Sequence, residues 1–245
     1  MKSLIVAGIL SVAVILAAPS RAVAGAAGGP AGIRPRLVVR LYDAAGLDAA
    51  TQRAAVQVAQ ASLESVTGGI TWRECRAGGP AGDGTSPDAA RDACARPLGP
   101  NEMVVRFVRV PLADRYRGTL RLGDSFVDGT VRTGALATVY VTRVAWLANE
   151  ASSDMRALLG RTMAHEIGHL LLGSNHHGRR GLMRARWSRE ELQRNRAEDW
   201  RFSDDDRRGI EEASLVRAGA SPDGPATVAQ RFSAARSDPA GTGIP

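Results

Sequence analysis

All four histidines of this 245-residue chain stand within thirteen positions, from His165 to His177, and no other feature restricts the local fold as tightly. Residues four apart in an α-helix advance about 6 Å and turn about 40° beyond one full turn, so their side chains share a face. His165 and His169 therefore form a pair of imidazoles on one helix face, with Glu166 projecting beside them. Leu170, Leu171 and Leu172 prolong the helix, and Gly173 is the residue type that ends helices in a left-handed turn. The chain can then fold back and bring His176 or His177 toward the pair. Such a donor set suits zinc, which in catalytic sites takes three protein ligands and keeps a fourth position open. A carboxylate next to the first ligand stands where a base for an activated water is needed.

The run His165-Glu166-Ile167-Gly168-His169, followed by Gly173, His176, His177 and Met183, resembles the metzincin clan of zinc metallopeptidases, whose pattern is H-E-x-x-H-x-x-G-x-x-H and then a methionine-containing turn. The glycine comes one residue late and the third histidine one or two residues late. Counting from the glycine selects His176. Similarity to secreted bacterial proteins over G-S-N-x-H-x-x-x-G-[IL]-M-R selects His177, which is the assignment taken here, with His176 as the alternative. Gly181-Leu182-Met183 is similar to the matrixin-type Met-turn, which implies that Met183 forms an apolar floor beneath the metal. Arg184 stands where matrixins usually carry an aromatic residue.

The resemblance implies a matrixin-like, secreted zinc metalloendopeptidase with one catalytic Zn2+ held by His165, His169 and His177. It implies hydrolysis of peptide bonds through a zinc-activated water, with Glu166 as general base, on a protein or peptide substrate. The implied fold is α+β, metzincin-like: a twisted mixed sheet, two long helices of which one carries the histidine pair, and a small helical C-terminal lobe. An antiparallel edge strand would rim the cleft, and the substrate is expected to lie antiparallel to the strand at Ala135–Val141. Arg179, Arg180, Arg184 and Arg186 crowd the return loop and would favour acidic residues near the cut.

Two other readings compete. In gluzincins a glutamate further along the chain completes the zinc site, and Glu190 and Glu191 are available. They lie in Ser188-Arg189-Glu190-Glu191, whose pattern is already explained as a capped helix start with acidic residues in its first turn. The second is a non-catalytic exported binding protein on the same scaffold, since a motif does not prove turnover.

Residues 1–24 read as a signal peptide: a basic residue at Lys2, an apolar stretch from Leu4 to Ala18, and Ala22-Val23-Ala24 as a small-residue cleavage site. The apolar stretch falls short of the roughly 20 residues a membrane span needs, and no later segment is a candidate span. A secreted or periplasmic location after cleavage near Ala24 is expected. Cleavage removes the cations Lys2 and Arg21 and no carboxylate, so the formal charge falls from +7 to +5. A basic exported chain can contact anionic envelope surfaces, but its arginines lack the aromatic interleaving of a nucleic-acid module. A monomer without nucleic-acid partners is expected. Cys75 and Cys94 are the only cysteines and are expected to form a disulfide in an oxidising compartment. No acidic loop has calcium-ligand spacing.

Residues 25–34 read as a short extension, 35–217 as one peptidase-sized domain, and 218–245, rich in Ala, Gly, Ser, Pro and Asp, as a disordered tail. Within the domain, strands are expected at 36–42, from Ile70, at 103–110, at 121–127 and at 135–141, with a helix over 47–65 ending at Gly68-Gly69. The histidine-bearing helix follows the last strand and is capped by Ser152 or Ser153. Two short helices, 188–196 and 203–217, complete the domain.

Overall fold

The computed structural model describes residues 36–75, 93–112 and 120–217. The expected signal peptide, the extension 25–34 and the tail 218–245 lie outside the described residues. In chain order the elements are β1 (Leu37–Asp43), α1 (Ala49–Leu63), β2 (Ile70–Cys75), β3 (Glu102–Val108), β4 (Gly123–Asp128), β5 (Thr133–Tyr140), α2 (Val141–Ala151), α3 (Met155–Leu172), α4 (Arg189–Arg194), a 3₁₀ turn (Ala197–Trp200) and α5 (Asp204–Arg217). The fold is mixed α/β, and its five strands run in the order β2-β1-β3-β5-β4. β1 pairs parallel with β2 and β3, and β3 parallel with β5. Only β4 is antiparallel, against β5.

Local chemistry accounts for the first unit. The Asp43 carboxylate accepts from the backbone N–H groups of Ala45, Gly46 and Leu47, which turns the chain out of β1. Asp48 then accepts from Thr51 N–H as the N-cap of α1. Ala55 and Ala59 of α1 are fully buried, and small residues let the helix approach α3 closely. Gly160 completes that approach from the other side: a Cβ there would stand 2.4 Å from the Ala55 carbonyl oxygen.

Three expectations need correction. The strand expected at 135–141 is not the rim of the sheet, because β5 lies between β3 and β4, with Ala137, Thr138 and Val139 buried. The antiparallel edge belongs to β4, in which no residue is buried. The chain reverses at 129–132, so β5 returns beside β4 and offers its other flank to β3. Second, a helix was missed: α2 begins at Val141, directly after β5. Its buried residues Val141, Val144, Ala148 and Ala151 follow helical spacing, but the β-branched Val141-Thr142 continue a strand pattern locally. Third, neither Ser152 nor Ser153 caps α3. Ser152 takes the left-handed conformation that ends α2, and Asp154 is the N-cap, accepting from Arg156 N–H.

Cys75 and Cys94 form the expected disulfide, with Cα atoms 5.8 Å apart; most of the loop it closes, 76–92, lies outside the described residues. A buried arginine supports the same region. Arg40 on β1 donates to the carbonyls of Cys94, Arg96 and Pro97 and pairs with Glu102, so its charge is compensated where burial would otherwise be costly. At the other end, Leu182, Met183, Leu192, Trp200, Phe202 and Ile210 join the same hydrophobic cluster as the sheet residues Val39, Val105 and Phe107. The C-terminal helices therefore share the core of the sheet and α3. No described helix is long and apolar enough to cross a membrane.

Candidate metal centre

α3 is buried from Ala157 to Leu171 and lies against β4 and β5. It stops at Gly173, which adopts φ 59° and whose N–H returns to the His169 carbonyl. Glycine is required there twice over: for the left-handed conformation, and because a Cβ would stand 2.0 Å from the Arg132 carbonyl oxygen. The following turn is held by Ser174, whose Oγ accepts from His176 N–H. Gly178 N–H donates to the Met183 carbonyl, and Leu182 N–H to the carbonyl of Arg201.

This return loop brings His177 to the helix pair. Its ring centroid lies 5.4 Å from that of His165 and 4.8 Å from that of His169. One ligand-type nitrogen from each of His165, His169 and His177 falls within 4.8 Å of the other two. His177 and the alternative His176 are both exposed, but His176 does not join that group. Glu190 and Glu191 are not in it either. Glu191 completes the capping box of α4 with Ser188 and pairs with Arg184, and Glu190 is exposed in the same first turn.

The loop also orients the rings it meets. His165 Nδ1 lies 2.8 Å from the Leu182 carbonyl oxygen, and His169 Nδ1 lies 2.9 Å from that of Ser174. A carbonyl only accepts, so each Nδ1 carries the hydrogen and each Nε2 carries a lone pair. The two Nε2 atoms stand 3.1 Å apart. Two lone pairs facing each other at that distance repel unless a cation lies between them. Nitrogens on one tetrahedral zinc, at about 2.0–2.1 Å from it, are about 3.3 Å apart. Burial pushes the pKa of His165 down to about 3, helped by the neighbouring His169, and lowers those of His169 and His177 as well. Neutral imidazoles are the ligand form of histidine, so the donor set fits the metal.

Met183 is fully buried and packs on α3 at Gly168, where a Cβ would meet its Sδ at 2.5 Å and Phe202 at 2.8 Å. The glycine inside the H-E-x-x-H run is thus what lets the methionine approach the helix between its two histidines. Three residues outside the motif complete the surroundings. Trp187 meets His165 edge-on, with centroids 5.6 Å apart. It also stacks edge-on with Trp200, over which Arg161 is seated at 3.9 Å.

Glu166 is 6% exposed and faces β4. Its Oε2 is in hydrogen-bond contact with Ser125 Oγ, which also lies 2.9 Å from the Glu166 backbone oxygen. Gly123 borders the other carboxyl oxygen. Burial raises the pKa of Glu166 to about 7, with the Asp124 charge adding to it and the Ser125 hydrogen bond opposing it. A carboxyl poised near neutrality can both take and return a proton. Sequence reasoning missed Ser125, Gly123, Trp187 and Trp200. The spacing of Gly123 and Ser125, two apart on a strand and therefore on one face, was the only available signal.

No protein-family model matches the chain, and no curated protein sequence is similar to it. Among solved structures, archaemetzincin from Methanopyrus kandleri aligns with a TM-score of 0.45 and 16% identity, over 75% of this chain and 97% of that one.

Proposed function

We propose that this chain is an exported zinc-dependent endopeptidase of the metzincin type, with His165, His169 and His177 as metal ligands and Glu166 as the general base. The observation that carries this reading is the convergence of three neutral imidazoles whose Nε2 pair lies 3.1 Å apart. Zinc bound there supplies a Lewis acid that acidifies water to a pKa of about 7 and polarises a carbonyl group. The protein supplies the rest. The Leu182 and Ser174 carbonyls hold the first two rings in one tautomer, which keeps their Nε2 lone pairs directed at a common point. Glu166 accepts a proton at its carboxyl and delivers it to the leaving amine. Met183 and the buried face of α3 exclude water from beneath the site.

The substrate would pair with the outer edge of β4. Among the described residues β4 has a strand neighbour on one side only, so its other backbone groups are available to an extended peptide. An open edge admits a chain that continues in both directions, which suits internal cleavage. Export is supported by the disulfide, a bond that persists in oxidising compartments. N-terminal sequencing of the secreted protein is expected to begin near Gly25, and an unprocessed start would remove the signal-peptide reading.

The deciding test is zinc stoichiometry by elemental analysis on the purified protein beside His176→Ala and His177→Ala. One zinc per chain is expected, retained by His176→Ala and lost by His177→Ala. Glu166→Ala should keep the zinc and abolish peptide hydrolysis. A chain that binds no zinc after refolding with the metal would end this reading.

A further inference from the structure

The side chain that hydrogen-bonds the carboxyl of Glu166 comes from the sheet and not from the histidine loop. Ser125 Oγ contacts Oε2 and also lies 2.9 Å from the backbone oxygen of the same glutamate. One hydroxyl thereby ties the carboxyl to its own stretch of helix, across 41 residues of sequence. Gly123, on the same face of β4, closes the other side: a Cβ there would stand 2.7 Å from Oε1 and 2.7 Å from the Thr138 carbonyl oxygen. What the edge strand contributes to the surroundings of Glu166 is therefore a glycine position with no room for a side chain and one hydroxyl.

We propose that Ser125 is a positioning residue for Glu166, fixing where the carboxyl sits so that the strand that would receive the peptide also aims the base. This rests on the peptidase reading above, since only there does Glu166 exchange a proton with substrate. Polarity is what separates this role from packing. Alanine fits a strand position of this size, but leaves a nearly buried carboxyl without its side-chain partner, and orienting partners of this kind typically change activity by about 10–100-fold.

Two readouts test it. In the metal-free protein, Ser125→Ala should lower the urea unfolding midpoint more in the wild-type background than in the Glu166→Ala background, where only its contact with the backbone oxygen remains to be lost, as a direct coupling requires. In the zinc-loaded protein, Ser125→Ala should retain one zinc per chain and lower kcat about 10–100-fold with little change in KM, the pattern of a lost transition-state interaction. Ser125→Thr, which keeps the hydroxyl, should restore kcat. Equal midpoint shifts in both backgrounds, or an unchanged kcat in Ser125→Ala, would overturn the proposal while leaving the zinc peptidase intact. Coupled midpoints in a zinc-loaded protein that hydrolyses no peptide would instead overturn the peptidase reading, and the positioning role with it.

Discussion

Burial acts in opposite directions on the two kinds of titratable side chain at this centre. His165 has a pKa near 3 in the fold against 6.5 for a free imidazole, so the native state binds fewer protons than the unfolded one. Its contribution to stability is fully present above pH 6.5 and is lost as the pH falls toward 3. Glu166 is raised from 4.5 to about 7, so the native state binds more protons, and its cost to stability grows as the pH rises from 4.5 through 7. In the metal-free protein, urea midpoints measured against pH should therefore flatten on the acid side in His165→Gln. They should rise near neutrality in Glu166→Gln. A wild-type profile superimposable on both variants would show that neither group is buried as described. Gly168 permits a second prediction at this scale. Gly168→Ala forces a methyl group against Met183 and Phe202 and should cost about 1–3 kcal/mol, measured by denaturant unfolding. The histidines and Glu166 were legible because helix periodicity is a local rule. Ser125 and Gly123 were not, because their contact with Glu166 depends on which strand lands beside α3.

Strands and helices were readable where their patterns were long. β1, α1 and β3 fall within a few residues of their expected limits. The misplaced sheet edge has a plain physical origin: alternation reports that a segment is a strand and says nothing about its neighbours. β5 is the more apolar strand of the β4–β5 pair, with Ala137, Thr138 and Val139 buried, and its place between two strands follows from that burial. β4 alternates weakly and rims the sheet. α2 was hidden because Val141-Thr142 prolong the β5 pattern before helical spacing becomes apparent. The sheet order also separates two chemistries. The disulfide hangs from β2 at one edge, whereas Glu166 and Ser125 meet at β4 on the other. Replacing both Cys75 and Cys94 by serine should thus cost about 3 kcal/mol of stability and leave zinc stoichiometry at one. Loss of zinc in a folded double variant would show the two edges to be linked.

A single hydrophobic cluster joins the sheet, α3 and the segments after the histidine loop, so the described domain is expected to unfold in one transition. Zinc that binds only the folded state should move that whole transition upward, by about 4 kcal/mol when free metal exceeds its dissociation constant a thousandfold. Calorimetry with and without chelator checks this. Two separable transitions would mean that the C-terminal helices fold apart. The loop between Gly173 and Met183 supplies His177 and, through Ser174 and Leu182, the carbonyls that orient the other two rings. That loop is itself anchored beyond its own end, by Leu182 N–H on the Arg201 carbonyl, against which Gly181 is tightly apposed. In the order of synthesis all three ligands have emerged by residue 177, but the anchor arrives more than twenty residues later. The centre is accordingly completed by chain that lies beyond its last ligand, and metal uptake should start only after the Arg201 carbonyl is in place and Phe202 has joined the core.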